Sequence, residues 1–215
     1  MESIPGIKKV FIRSGIRYDY MLADKSDAFF RRLVEKHVSG QLKVAPEHCS
    51  DHVLALMGKP PIGVFERFSE RYFSLCSRAG LDQYLVPYLM SSHPGSTLRD
   101  AVELAVYLHN NGCTPEQVQD FYPTPGTVST CMFFTGMNPY TLEPVFVPKT
   151  PEEKALQRAL LQYFLPQNRT LVLRALRKAG RADLIGSGPE CLVPAPAGEA
   201  GRRPVGCRPA RNASP

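Results

Sequence analysis

Four short runs rich in β-branched and aromatic residues recur between Lys8 and Tyr122, and helical stretches lie between them. The runs are Lys8–Ile12 (KKVFI), Gln41–Ala45 (QLKVA), Gln83–Met90 (QYLVPYLM) and Gln117–Tyr122 (QVQDFY). Apolar residues in the intervening segments repeat at the spacing of one buried helix face. A helix is predicted from about Asp19 to Val38, with Phe29, Phe30, Leu33 and Val34 inward. Others cover Val53–Met57, Val64–Arg78 and Leu98–Asn110, the last closed by the Asn111-Gly112 cap signal. Phe65, Phe68, Tyr72, Phe73 and Leu75 form the expected core stripe of the second of these. Strand and helix in this rhythm demand parallel pairing. The expected fold class is therefore α/β, and four strands are too few to close a barrel of the usual size. The sheet is open, or it is part of a barrel.

Composition divides the chain into three. Residues 1–136 carry the β/α alternation. In 137–192, Pro139, Pro144 and Pro148 punctuate an extended stretch before Thr150-Pro151-Glu152-Glu153, an N-cap with proline at the first helical position and a capping-box glutamate. Ala155, Leu156, Ala159, Leu160 and Phe164 then make one helix face, and a second helix runs from about Asn168 to Ala179. This helical hairpin is a C-terminal extension. Residues 193–215, rich in Pro, Ala, Gly and Arg, read as a disordered basic tail.

The net charge of +6 raises the question of nucleic acid. About half of the excess lies in the tail, as four arginines against Glu199, and elsewhere basic and acidic residues interleave. A mixed solvated surface is the better reading, and nucleic acid is disfavoured. No apolar run approaches the roughly 20 residues of a membrane helix, and no secretory signal opens the chain. The expectation is a cytoplasmic protein without a membrane partner. Six cysteines are present without a C-x-x-C pair, so zinc-ribbon and thioredoxin-like chemistry is excluded. His48, Cys49 and His52 lack both spacing and a fourth ligand, and no metal site is read from them.

In parallel α/β sheets, ligands bind at the carboxyl ends of strands. Each of the four runs ends in a polar cluster there: 13–19, 46–51, 91–96, and 120–127. A shared site for an anionic, hydroxyl-rich small molecule follows. Arg13 and Arg17 suit a carboxylate through forked hydrogen bonds. Ser14, Ser91 and Ser92 suit ribose hydroxyls, and Glu47 a ribose diol or an ammonium group. His48 and His93 are candidate acid–base groups or metal ligands, although a hydrogen-bonded structural histidine is the commoner case. Gln119 and Asp120 close the set on the fourth run.

The segments VFIRSGIRYDYMLAD (10–24), LKVAPEHCSDHVLALMGKP (42–60), QYLVPYLMSSHPGSTL (83–98) and VQDFYPTPGTVSTCMFFTGMNP (118–139) closely resemble the later half of YgiQ-type radical S-adenosylmethionine proteins. PKTPEEKALQRALLQYF (148–164) and LRKAGRADLIGSGP (176–189) resemble that family's C-terminal extension. The resemblance implies a partial radical SAM-type β/α barrel and two cofactors, S-adenosylmethionine and a [4Fe-4S] cluster held by a C-x-x-x-C-x-x-C motif. Cluster and cofactor generate a 5′-deoxyadenosyl radical that abstracts hydrogen from substrate; the protein supplies ligands and orientation. By the same resemblance, Arg13, Ser14 and Glu47 lie near cofactor ribose or carboxylate. The Ser91–His93 turn and Gln119–Asp120 lie near adenine or substrate.

One departure matters. No cysteine triplet of that spacing occurs in these residues, so the chain alone is not expected to bind the cluster or to be active. It reads as a fragment of such an enzyme. The alternative is a non-catalytic binding module, or a partner subunit that completes a split barrel with an upstream half.

Overall fold

The computed structural model describes residues 3–196. Its sheet has three parallel strands in the order β1 (Gln41–Glu47), β2 (Tyr84–Ser91), β3 (Val118–Asp120). Eight α-helices accompany them among the described residues, giving an open α/β fold. Between β1 and β2 run α3 (Asp51–Leu56) and α4 (Ile62–Arg78), and α5 (Leu98–Asn110) connects β2 to β3. The register pairs Gln41 with Tyr84 and Ser91 with Asp120, so the carboxyl ends of all three strands lie side by side.

One of the four expected strands, the first, does not form. Lys8–Ile12 makes no ladder; it is tied down at Ile12, whose N–H donates to His37 O at 2.7 Å, and at Arg13, whose carbonyl accepts from Lys43 N at 3.0 Å. A left-handed Gly15 (φ 84°) then carries the chain away from β1 before pairing can extend. The long helix expected over 19–38 is also broken. It divides into α1 (Tyr18–Ala23), α2 (Ala28–Arg32) and a π-helical turn, Leu33–His37. The Asp24 carboxylate accepts from both the backbone N–H and the hydroxyl of Ser26, a local turn that competes with the helix. Phe29 consequently faces solvent while Phe30 is buried.

On α4, Phe68, Tyr72, Leu75 and Cys76 fall on one face and are buried; Phe73, a hundred degrees round, is 47% exposed. They pack with Phe30, Leu33, Val34, Leu42 and Val44 in a core beneath β1 and the N-terminal helices. A second core joins β2 and α5 to the C-terminal helices α7 (Pro151–Leu161) and α8 (Arg169–Lys178). Here the sequence signals hold: Thr150 and Glu153 form a complete capping box with Pro151 at the first turn. An additional helix, α6 (Val128–Thr135), follows β3, capped by the Thr127 hydroxyl and ended by Gly136 at φ 68°. Val193 is buried and bridges to Ile185; the remainder of the expected tail, from 197, lies outside the described residues. No described helix is long and apolar enough to cross a membrane.

Candidate functional site

Glu47 ends β1 and Ser92 follows the last residue of β2, and both are non-glycine residues with left-handed backbone, at φ 70° and 63°. Such conformations cost about 1–3 kcal/mol and persist where the surroundings over-determine them. Each residue also holds a buried oxygen, Glu47 Oε2 and Ser92 Oγ, that has no hydrogen-bond partner among the described residues. The other Glu47 oxygen is occupied: Lys59 Nζ donates to Oε1 at 3.3 Å and to the Ala45 carbonyl at 2.8 Å. A left-handed Gly58 (φ 66°) after α3 turns the chain so that Lys59 reaches back to β1.

Beside these strand ends lies a cavity of about 220 Å³. Glu47, Lys59, His93, Thr124, Thr127 and Ser129 supply its polar groups, and Met57, Met90, Phe121 and Tyr122 its apolar walls. Pockets that enclose a drug-sized ligand run from about 300 to 1,000 Å³, so this volume makes part of such a site. A larger depression of about 550 Å³ lies on α2 and the π-helical turn, and it contains no buried polar group among its lining residues. The smaller cavity, which the buried His93 lines, is therefore the candidate site.

His93 is 3% exposed and fully engaged. Pro94 O can only accept, so the 2.7 Å contact fixes the proton on Nδ1. Nε2 is left to accept from Ser129 Oγ at 2.8 Å. Burial pushes the imidazole down to about 4, so the ring is neutral at neutral pH. Phe121 meets it edge-on at 5.2 Å between centroids. His48 is equally buried and equally depressed, to about 4, by desolvation. It does not line the cavity; its Nδ1 accepts from Ser50 N at 3.0 Å and shapes the turn into α3.

Of the residues chosen from sequence, Glu47 and His93 come together on the cavity, with Ser92 between His93 and β2. Ser91 bonds Asp120 across the β2–β3 register, Asp120 pairs with Arg158 at 3.2 Å, and Gln119 bonds the Tyr88 hydroxyl. Ser91, Gln119 and Asp120 thus spend their polar groups between neighbouring elements and do not line the cavity. Arg13, Ser14 and Arg17 are exposed and also stand outside it. The Arg17 guanidinium is held by Asp19 at 2.6 Å and stacks over Tyr20 at 4.3 Å. Lys59 and Ser129 join the site without a sequence signal: one follows a glycine cap, the other sits in the first turn of the unexpected α6.

Residues 116–215 match the family model described as a domain of unknown function, DUF3362. Over most of its length the chain is similar to the UPF0313 proteins. It is 60% identical over 193 residues to a UPF0313 protein of Clostridium perfringens (strain 13 / Type A), covering 90% of this chain and 29% of that protein. A UPF0313 protein of Clostridium botulinum (strain 657 / Type Ba4) is 59% identical over 194 residues, covering 90% and 30%. The chain thus spans less than a third of the length of these relatives. UPF0313 is the YgiQ-type family, the same to which the sequence motifs point. The match to the domain of unknown function takes in β3, α6, α7 and α8, and with them Phe121, Tyr122, Thr124, Thr127 and Ser129 of the cavity.

The cavity residues suit a polar organic ligand better than an iron–sulfur cluster. Among the described residues no three His, Cys, Asp or Glu side chains converge where a metal ion could be held. Cys49 is buried away from the cavity, with its thiol pushed up to about 12 by burial, and the Cys76 thiol is bonded to Gln83. The cluster therefore does not fit these residues by themselves. Glu47 Oε2, by contrast, is a buried acceptor in need of a donor.

Proposed function

We propose that this chain forms part of the S-adenosylmethionine- and substrate-binding wall of a YgiQ-type radical SAM enzyme, with the cluster ligands supplied by residues other than these. The observation that carries the reading is the pair of strained residues, Glu47 and Ser92, at adjoining strand ends, each with a buried oxygen left unsatisfied among the described residues. A fold does not keep both strain and orphaned polar atoms in one place without return; ligand binding is the usual one.

When bound in the complete enzyme, the cofactor supplies radical hydrogen abstraction. This chain's own residues bind and orient. Glu47 Oε2 accepts from a ribose hydroxyl or an ammonium group, while Lys59 holds the carboxylate in its rotamer through Oε1. Met57, Met90 and Phe121 line the apolar side and exclude water. His93, neutral and tied at both nitrogens, offers a rigid polar edge through Ser129 rather than a titrating base. The small cavity volume agrees with a site completed by other parts of a longer protein.

S-adenosylhomocysteine, observed by ligand-detected NMR, is the direct probe. It should bind the chain weakly, and Glu47→Gln should weaken that binding at least about tenfold, the worth of one charge-assisted hydrogen bond. No detectable binding, or equal binding by Glu47→Gln, would remove the reading.

A further inference from the structure

Gln157 is a polar side chain in the middle of α7, only 2% exposed, and its hydrogen bonds go to one turn more than sixty residues away. Its Oε1 accepts from Ser92 N at 3.1 Å and from Ser96 Oγ at 3.0 Å. Its Nε2 donates to the Ser96 carbonyl at 2.7 Å. These contacts bracket His93, and they take up the N–H of the residue whose left-handed backbone makes the turn. The next residue, Arg158, pairs with Asp120 at the end of β3. One helical step thus grips the carboxyl ends of two neighbouring strands.

Buried glutamine is uncommon, and it is retained where its amide is satisfied on both sides. A leucine here would match its α7 neighbours Leu156 and Leu160 in the α5–α7–α8 core, but it would leave the buried Ser92 N–H and the Ser96 hydroxyl and carbonyl without these partners. We propose that Gln157 is a positioning residue that fixes the Ser92–His93 turn, so that α7 of the C-terminal segment acts as a latch on the candidate site. The segment that matches a domain of unknown function thereby acquires a role, building one wall of the cavity with α6 and locking the facing turn with α7. The significance of the latch for binding rests on the site reading above; the latch itself does not.

The test compares Gln157→Leu with Val172→Ala, a substitution in the same core on α8 whose side chain can make no hydrogen bond to the turn. Both should lower the unfolding midpoint. Only Gln157→Leu should change the His93 ring-nitrogen shifts, which report the proton fixed on Nδ1, and only it should speed Ser92 amide exchange, by about tenfold or more. If Gln157→Leu leaves both signals as Val172→Ala does, Gln157 is core filling and the proposal fails. Should Gln157→Leu not fold, Ser96→Ala removes a single contact and is expected to move the same His93 signals by less; an unchanged spectrum there overturns the proposal equally. S-adenosylhomocysteine binding to the unaltered chain is scored separately. Its absence ends the site reading, whereas the His93 and Ser92 signals still decide the latch.

Discussion

Glu47 and Ser92 are the two strained residues at the strand ends beside the candidate site, and they differ in how far a sequence can disclose them. Glu47 is visible: a carboxylate just past a β-run and before a histidine invites a binding role. Ser92 is visible only as one serine of a pair, and nothing in SSHPGS says which is strained. The structure separates them: Ser91 is bonded across the sheet to Asp120, while Ser92 sits at φ 63° with its hydroxyl unpartnered among the described residues. Ser92→Ala therefore serves as a diagnostic. An unsatisfied buried hydroxyl costs roughly 1–3 kcal/mol, so its removal should leave the chemical-denaturation midpoint unchanged or raise it. A loss of more than about 1 kcal/mol in stability would mean that the hydroxyl has a structural partner, and Ser92 would no longer count as an unsatisfied group at the strand ends. Lys59 is illegible in sequence for a different reason. Its role depends on reaching back past Glu47 to Ala45, a contact between elements that no local pattern records.

At the scale of elements, features that depend on local chemistry are legible in the sequence and those that depend on a distant partner are not. The capping box of α7 and the limits of α5 follow from short-range hydrogen bonding and periodicity. A Lys8–Ile12 strand requires a neighbour along its whole length, and the chain meets β1 only at Arg13. Helix α6 escapes because its β-branched and aromatic residues show no helical face, only Met132 being buried. The His93-Pro94-Gly95 turn combines both kinds. Gly95 has φ 94°, its N–H donates to Phe146 O at 2.7 Å, and an added Cβ would lie 2.2 Å from Leu56 Cδ1. Gly95→Ala should destabilise by about 1–2 kcal/mol from the backbone alone, with a further cost for displacing Leu56. Gly126→Ala isolates the backbone part, because φ is 79° there and nothing lies within 4 Å of the added carbon. The Leu56 contact is measured by the difference between the two denaturation midpoints. Equal midpoints would show that Leu56 swings aside freely and does not fix the turn.

Across the molecule, two buried histidines at neighbouring strand ends link folding to pH. Burial lowers both His48 and His93 from an ordinary 6.5 to about 4. The unfolded chain takes up these protons as pH falls below 6.5, whereas the folded chain refuses them until about 4. Stability is therefore full above 6.5, declines through the interval from 6.5 to 4, and levels off below it. Each histidine contributes on the order of 3 kcal/mol over that range, and while both are engaged the slope is about 2.7 kcal/mol per pH unit. Carboxylates act lower down. Asp100 is pushed up by burial but further down by hydrogen bonds from Thr97 and Ser50, so its contribution is lost only below the ordinary 3.8. Denaturation midpoints measured from pH 8 to pH 4 thus separate the two classes. Replacing His48 by Gln should reduce the slope between pH 6 and 5 to about 1.4 kcal/mol per unit, the share of His93 alone. A midpoint that stays flat from pH 7 to pH 5 would show that water reaches both rings, and the His93–Ser129 edge of the cavity would then be solvated rather than dry.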